Sequence, residues 1–388
     1  MPNFSGKWNL QGQLQGIKAG TWTGIEQYEL WAWGNNGSGR LGLNDDQTVD
    51  KSSPVQVGTL ADWSQVATGG AQALAIKTDG TLWAWGDNGS GRLGLNDDPT
   101  VDRSSPVQVG ILTDWAQVAT RFIFVAAVKT DGTLWAWGDN GDGRLGLNDN
   151  QTVDKSSPVQ VGALTNWSQV STGAFHAAAI KTDGTLWSWG KGQYGPLGHN
   201  DEITRSSPVQ VGASTNWSQV SSSTYHTAAV KTDGTLWAWG DNTRGQLGDN
   251  TVVYRSSPVQ VGALTTWAQV STGGAATFAV KTDGTLWAWG LASYGRLGTN
   301  NQIDRSSPVQ IGALTTWSKV SSSTNETGGA LKTDGTLWTW GGNGEGRLGL
   351  NDTINRSSPV QVGNLTNWSD ISAGSAFFVA IYSSRTGM

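Results

Sequence analysis

A pentapeptide, Leu-Trp-x-Trp-Gly, recurs seven times along the chain, and this recurrence limits the possible folds more than any other feature of the sequence. Its first Trp falls at Trp31, Trp83, Trp135, Trp187, Trp237, Trp287 and Trp338, so successive copies lie 52, 52, 52, 50, 50 and 51 residues apart. Two further markers keep the same phase. One is the Ser-Ser-Pro-Val-Gln segment beginning at Ser52, Ser104, Ser156, Ser206, Ser256, Ser306 and Ser357; the other is a third Trp at Trp63, Trp115, Trp167, Trp217, Trp267, Trp317 and Trp368. A repeat of this length is one supersecondary unit that cannot bury its own faces and must stack on its neighbours. Seven such units of four strands predict an all-β fold, a single seven-bladed β-propeller.

The clearest element within a unit is a hairpin, AIKTDGTLWAW in the second copy, whose Asp79-Gly80 pair signals a tight turn. Taken as a two-residue turn, it sets Thr78 opposite Thr81, Ile76 opposite Trp83, Ala75 opposite Ala84 and Leu74 opposite Trp85. One face of the hairpin is then bulky and the other small, and the Trp face of one blade can pack on the Ala face of the next. The Ala-rich strand is expected innermost, where blades crowd the axis. The chain ends complement each other. Leu30-Trp31-Ala32-Trp33 has no preceding AIKTDG partner, and Ala376-Phe377-Phe378-Val379-Ala380-Ile381 has no following LWAWG. The N- and C-terminal strands should therefore share one blade and close the ring, pairing edges that would otherwise invite aggregation. The domain reading is an N-terminal segment over 1–28, with Trp8, Ile17 and Trp22 as attachment residues, followed by the propeller over 29–388.

Composition narrows the function classes. The chain has 54 Gly and 23 Trp but no Cys, so neither disulfides nor thiolate metal sites contribute. A net charge of -5 argues against nucleic acid or an anionic membrane as partner, since both are bound through clustered Lys and Arg. No apolar run is long enough to insert into a membrane, and no targeting segment is expected.

The runs TDGTLWAWG and GRLG resemble the repeat of the regulator-of-chromosome-condensation family over residues of about 29–384. The resemblance implies the seven-bladed fold. The best-known member of that family exchanges nucleotide on a small GTPase and binds nucleosomes with loops and basic surface added to the ring. Here repeat lengths vary by only two residues and leave no inserted wedge, so nucleotide exchange is not expected. A narrower resemblance lies in SSPVQVGALTNWSQVS and in the opening MPNFSGKWNLQGQLQ, which is similar to repeat proteins of marine bacteriophages. It implies a virion component at the virion surface.

The seven internal copies differ mainly in two places, just before the Ala-rich strand and just after Trp-Gly. Continuing the hairpin register outward sets Gln72 opposite Asp87, Phe124 opposite Asp139, His176 opposite Lys191 and His226 opposite Asp241. Both places then meet at the open ends of the hairpins, on one face around the axis, where binding residues accumulate on a rigid scaffold. The candidate ligand- or receptor-binding face comprises Arg121, Phe122, Phe124, Phe175, His176, Lys191, Tyr194, Tyr225, His226, Arg244, Tyr294 and Glu326. Several are residue types that carry interface energy.

No catalytic cluster, metal site or cofactor is expected. Only three histidines exist, His176, His199 and His226. The recurring Asp79, Asp131, Asp183, Asp233, Asp283 and Asp334 suit turns better than catalysis. Oxygen-rich loops such as Leu43-Asn44-Asp45-Asp46 read as Asx turns more readily than as Ca²⁺ loops. The function expected is non-enzymatic binding, in which a phage tail fibre, tip or capsid decoration contacts a host surface protein or glycan and joins other virion proteins through its N-terminal segment. The alternative is a bacterial protein–protein interaction scaffold of the same repeat type.

Overall fold

The computed structural model describes residues 25–386 apart from 46 and 150–152; Trp8, Ile17 and Trp22 lie outside the described residues. Twenty-eight strands, numbered β1 to β28 in chain order, form seven four-stranded antiparallel sheets, the blades of a closed propeller. Blade 1 has the order β2-β1-β28-β27, in which β1 (Ile25–Gly34) and β2 (Lys51–Gln56) join β27 (Trp368–Ala373) and β28 (Phe377–Thr386). The ring closes through the ten-residue ladder of β1 on β28, from Ile25 opposite Thr386 to Gly34 opposite Phe377. Blade 2 is β3 (Trp63–Thr68), β4 (Gln72–Lys77), β5 (Leu82–Gly86) and β6 (Arg103–Gln108), and blades 3 to 7 repeat it in chain order. Residues 25–28, assigned above to the N-terminal segment, belong to β1.

The hairpin differs from its expected register by one residue. Ile76 faces Leu82, Ala75 faces Trp83, Leu74 faces Ala84, Ala73 faces Trp85, and Gln72 faces Gly86. Lys77 N–H donates to Thr81 O (3.0 Å) and Gly80 N–H to Lys77 O (2.9 Å), so the loop holds three residues, Thr78-Asp79-Gly80. Only Gly80 takes positive φ, +78°. Asp79 instead caps the turn, its Oδ1 accepting from Thr81 N–H (3.0 Å) and Thr81 Oγ1–H (2.7 Å). That is the three-residue hairpin with Gly in the left-handed position.

The slip changes the packing, because one step of register moves every side chain relative to its partner. Each hairpin face now mixes large with small, Trp85 against Ala73 and Leu74 against Ala84, where the two-residue turn made one face uniformly bulky. Between blades, Trp137 of blade 3 inserts among Leu74, Ala84 and Leu93 of blade 2. Its indole Nε1–H donates to Arg92 O in the GRLG loop (3.1 Å). The same indole explains Gly94: at φ +74°, a Cβ there would lie 2.6 Å from Trp137 Nε1. The seven indoles in this place are fully buried and each removes roughly 150–250 Å² from water, several kcal/mol apiece as an upper estimate; six of them bond a carbonyl of the preceding blade.

The innermost strand is β3 and its six counterparts, not the Ala-rich β4. The reason is a belt of side-chain amides. Gln117 Oε1 accepts from Val170 N–H (2.8 Å) and its Nε2–H donates to Val170 O (3.0 Å), so the amide imitates a further strand reaching to the next blade. Gln65, Gln169, Gln219 and Gln269 accept in the same way from Val118, Val220, Val270 and Val320. At the seam the amides give way to an ion pair between Lys319 and Asp370, with Asp370 Oδ2 accepting from Val66 N–H (3.3 Å).

At the three-residue turns, each Lys of the hairpin lies over two indoles: Lys181 Nζ is 4.8 Å from the Trp167 ring centre and 3.8 Å from that of Trp187. Five other blades repeat this. In blade 1, β28 runs on where the others turn, and Tyr382 takes the Lys place against Trp31 and Trp368. The β1–β28 ladder therefore continues past this face as a ribbon, from Glu29 opposite Tyr382 out to Ile25 opposite Thr386.

Candidate functional site

The opposite face carries the loops that differ among copies. The chain leaves each innermost strand there, enters the Ala-rich strand, and later emerges from Trp-Gly on the same side. The pairing joins both variable places: Asp87 N–H donates to Ala71 O (3.0 Å), Lys191 N–H to Phe175 O (2.9 Å) and Asp241 N–H to Tyr225 O (2.9 Å). The two variable stretches thus meet as expected, one residue off the expected register.

That residue decides which side chains reach solvent. Phe124, His176 and His226 are fully buried between blades, facing Gly138, Gly190 and Gly240, and present no contact surface. Their place carries structural bonds to the next blade. Gln72 Nε2–H donates to Thr120 Oγ1 (2.8 Å), and His176 Nε2 and His226 Nε2 lie 2.8 and 3.0 Å from Thr227 and Thr277 Oγ1. Because those hydroxyls donate onward to Pro196 O and Gln246 O, each imidazole carries its proton on Nε2. Burial, followed by the Arg121 guanidinium, pushes both imidazoles down to about 3, so they are neutral near pH 7. His199 sits apart near Ser188 (3.0 Å) and is lowered to about 4, chiefly by burial.

The neighbouring positions do form a surface. Phe175 stacks on Tyr225 with ring centres 5.2 Å apart, and Tyr194 meets Tyr225 edge-on at 5.4 Å. Lys191 Nζ and the Arg144 guanidinium each lie 5.2 Å from the Phe175 ring centre. Phe122, Tyr194 and Tyr294 are exposed. Tyr194 and Tyr294 hold φ of +69° and +59°, a left-handed conformation that a bulky side chain adopts at a cost of about 1–2 kcal/mol. Strain of this kind gathers at functional positions. Beside the cluster, an open groove runs from Tyr225 past Gly274 and Ala275 to Asn325 and Glu326. Arg244 lies 3.9 Å from Asp304, and Glu326 3.8 Å from Arg347.

Arg144 was not among the expected residues, because it belongs to the repeated GRLG motif. Its guanidinium bonds Ala174 O (3.2 Å) and pairs with Asp139 (3.1 Å), bracing the loop that carries Phe175. Blades 4 and 5 replace this Arg by Pro196 and Gln246, the visible signal that their loops are built differently. The repeated loop carboxylates bond within the fold: Asp45 accepts from Asn36 Nδ2–H (2.9 Å) and pairs with Lys51 (2.7 Å). Among the described residues no group of three or more His, Asp or Glu gathers as a metal site.

Fold and site together define a closed repeat propeller with six turn hairpins on one face and a single varied, aromatic face on the other. The chain belongs to the RCC1-like domain family: residues 117–387 match the model of the RCC1-like domain, and residues 29–76 and 79–120 that of the Regulator of chromosome condensation (RCC1) repeat. It is 33% identical over 178 residues to the human probable E3 ubiquitin-protein ligase HERC6, and 33% over 181 residues to the Ultraviolet-B receptor UVR8 of Arabidopsis thaliana. These stretches take 44% and 46% of this chain but only 17% and 40% of the two relatives. Among solved structures, Prp20p of Saccharomyces cerevisiae superposes with a TM-score of 0.83 at 19% identity, covering 94% of this chain and 93% of its own. Human WBSCR16 gives 0.80 at 20%, covering 92% and 98%. At these identities the two structures share the fold.

Proposed function

We propose that this chain is a non-enzymatic recognition propeller that holds a partner protein on its varied face. The observation that carries this reading is the Phe175–Tyr194–Tyr225 cluster, three aromatic rings packed on one another from two blades and flanked by two cations. Rigid aromatics of this kind anchor interfaces. The groove toward Asn325 and Glu326 adds polar contacts beside them. The fold-sharing Prp20p has binding properties toward Gsp1p and histones, which fits a protein as ligand class. The imidazoles of His176 and His226 are buried with their Nε2–H committed to threonines, so neither meets a substrate.

A finer reading makes the partner a host surface protein or glycan and the chain a phage virion component. It rests on the wording of the repeat and the opening residues alone.

The test compares the full chain with a Phe175→Ala, Tyr194→Ala, Tyr225→Ala variant, each immobilised and exposed to host-cell extract and to intact cells. The expected result is a protein retained by the native chain and lost from the triple variant at unchanged circular dichroism. Equal retention by both would remove the varied face as the recognition surface. Retention of cells after their surface proteins are stripped would move the partner to glycan.

A further inference from the structure

At the axial mouth of the varied face, each innermost strand is followed by one residue that turns the chain outward. Six copies use Gly69, Gly173, Ser223, Gly273, Ser323 and Gly374; blade 3 alone has a long side chain, Arg121. The guanidinium Nε and Nη2 of Arg121 are shielded from solvent and have no hydrogen-bond partner. Burial pulls Arg121 down to about 10, and no carboxylate of the described residues counters that cost. Near neutral pH the group therefore remains a cation. A guanidinium with two nitrogens shut away from water and unpartnered is costly, and arginine does not escape by losing its proton. The paired arginines on this face show the contrast: Arg144 has Asp139 at 3.1 Å and Arg92 has Asp87 at 3.4 Å.

Three more orphan polar atoms lie in the blades that follow. Thr172 Oγ1, Ser222 Oγ and His176 Nδ1 are buried without partners. Sequence differences between blades account for two of them. The hydroxyl equivalent to Thr172 is Thr120, which receives Gln72 Nε2–H, but the residue in the Gln72 place before Thr172 is Phe124. His226 Nδ1 has Ser223 Oγ at 2.6 Å, whereas the residue in that place beside His176 is Gly173. A Cβ on Gly173 would lie 2.9 Å from His176 Nδ1, so the missing side chain is what leaves that nitrogen bare. Arg121 closes the innermost strand of blade 3, and Thr172, His176 and Ser222 stand on the inner strands of blades 4 and 5, the next around the ring; the lowered His176 and His226 agree with a cation in this sector.

We propose that Arg121, with Thr172, Ser222 and His176, seats one small oxyanion, a carboxylate or phosphate-type group, at the axial mouth of the varied face. The Nε and Nη2 hydrogens form a fork that matches two oxygens of such a group. The two hydroxyls donate as readily as they accept, and neutral His176 donates from Nδ1 when its proton moves over from Nε2 and the Thr227 hydroxyl turns from Pro196 O to that nitrogen. The site deepens the recognition reading by supplying a charged anchor at the centre of the face, yet it takes a free ion equally well.

The experiment uses the full chain with sodium acetate and sodium phosphate as separate probes, at pH 7.5 and constant ionic strength. Thermal unfolding and the ring-nitrogen NMR signals of the three histidines are followed. The expected result is a saturable rise in Tm of several degrees with at least one anion, a shift of the His176 signals along the same curve, and an unmoved His199. Arg121→Gly, the residue found in four sister blades, is expected to abolish both responses. A response to acetate alone assigns the seat to carboxylates, and to phosphate alone to phosphoryl groups. An identical Tm response in Arg121→Gly, or unmoved His176 signals in the native chain, would overturn the proposal. The ions need no partner protein, so failure here leaves the recognition reading standing, and failure of partner capture leaves this site standing.

Discussion

The two faces of the disc are built from the same strands but treat their side chains in opposite ways. On the turn face, one arrangement recurs: an Asp capping a Thr, that Thr accepting from a Trp indole, and a Lys over two indoles, as in Asp131, Thr133, Trp135 and Lys129. On the varied face, equivalent places hold Gly, Phe, His, Ser or Arg, two tyrosines are strained, and two guanidinium nitrogens of Arg121 are buried without a partner. Repetition here marks where the ring gets its stability, and divergence marks where that stability is drawn on. Natural proteins break local rules chiefly at functional sites.

The largest expected effect is on the repeated side. Trp135→Ala removes an indole bonded to Thr133 (2.8 Å), 4.4 Å from Lys129 Nζ and edge-on to Trp115 at 6.1 Å, and should cost about 3 kcal/mol in denaturant unfolding. The exposed Phe122→Ala on the other face should cost about 0.5 kcal/mol or less. Comparable losses would erase the distinction between the faces.

Acid should separate the faces next. His176 and His226 take up protons in the unfolded chain below about pH 6.5 but remain neutral in the fold until about 3. Their contribution is therefore intact above about pH 6.5 and is lost as pH falls, by about 1.4 kcal/mol per pH unit for each imidazole. The turn carboxylates are held below the ordinary carboxylate range by hydrogen bonds from their Thr neighbours and stay ionised where the imidazoles of the unfolded chain titrate. Thermal unfolding from pH 7 to 5 should thus decline steeply in the native chain and about a third as steeply in a His176→Gln, His226→Gln variant, which carries the residue of blade 2 in both places and keeps only His199, lowered to about 4, as a neutral imidazole. An equal decline in both would place the acid sensitivity elsewhere.

The smallest effect should be a gain. Tyr294 is half exposed at φ +59°, and Asn tolerates that conformation, so Tyr294→Asn should stabilise the ring by about 0.5–1 kcal/mol. No gain would mean that the Tyr294 ring is held by contacts that repay its strain.

Much of this was legible in the sequence because repetition supplies seven readings of each rule. The in-phase tryptophans set the blade number, and the incomplete ends set the closure of β1 on β28. The register was not legible, since Asp-Gly suits two- and three-residue loops alike and Thr81 decided between them by bonding Asp79. That single step carried into the site, where Phe175 faces outward and His176 inward. The innermost strand was hidden too: Gln117 reads as a polar surface residue until the neighbouring blade brings Val170 to it. Arg121 did stand out as a residue type, but that its Nε and Nη2, like Thr172 Oγ1, Ser222 Oγ and His176 Nδ1, are left without partners emerges only when the blades are assembled.

The ribbon formed by the first residues of β1 and the last of β28 gives the disc a polarity. Beyond Tyr382, which stands level with the hairpin Lys, four further pairs at about 3.4 Å each carry the ribbon roughly 14 Å on, past the turns of the other blades, and both strands point the same way out. Whatever is fused to either end of residues 25–386 is therefore tethered on the far side from Phe175, Tyr194 and Tyr225. A ring mounted by this stalk displays its aromatic face outward, and a surface coated through either end of the ribbon would present every copy in the same orientation.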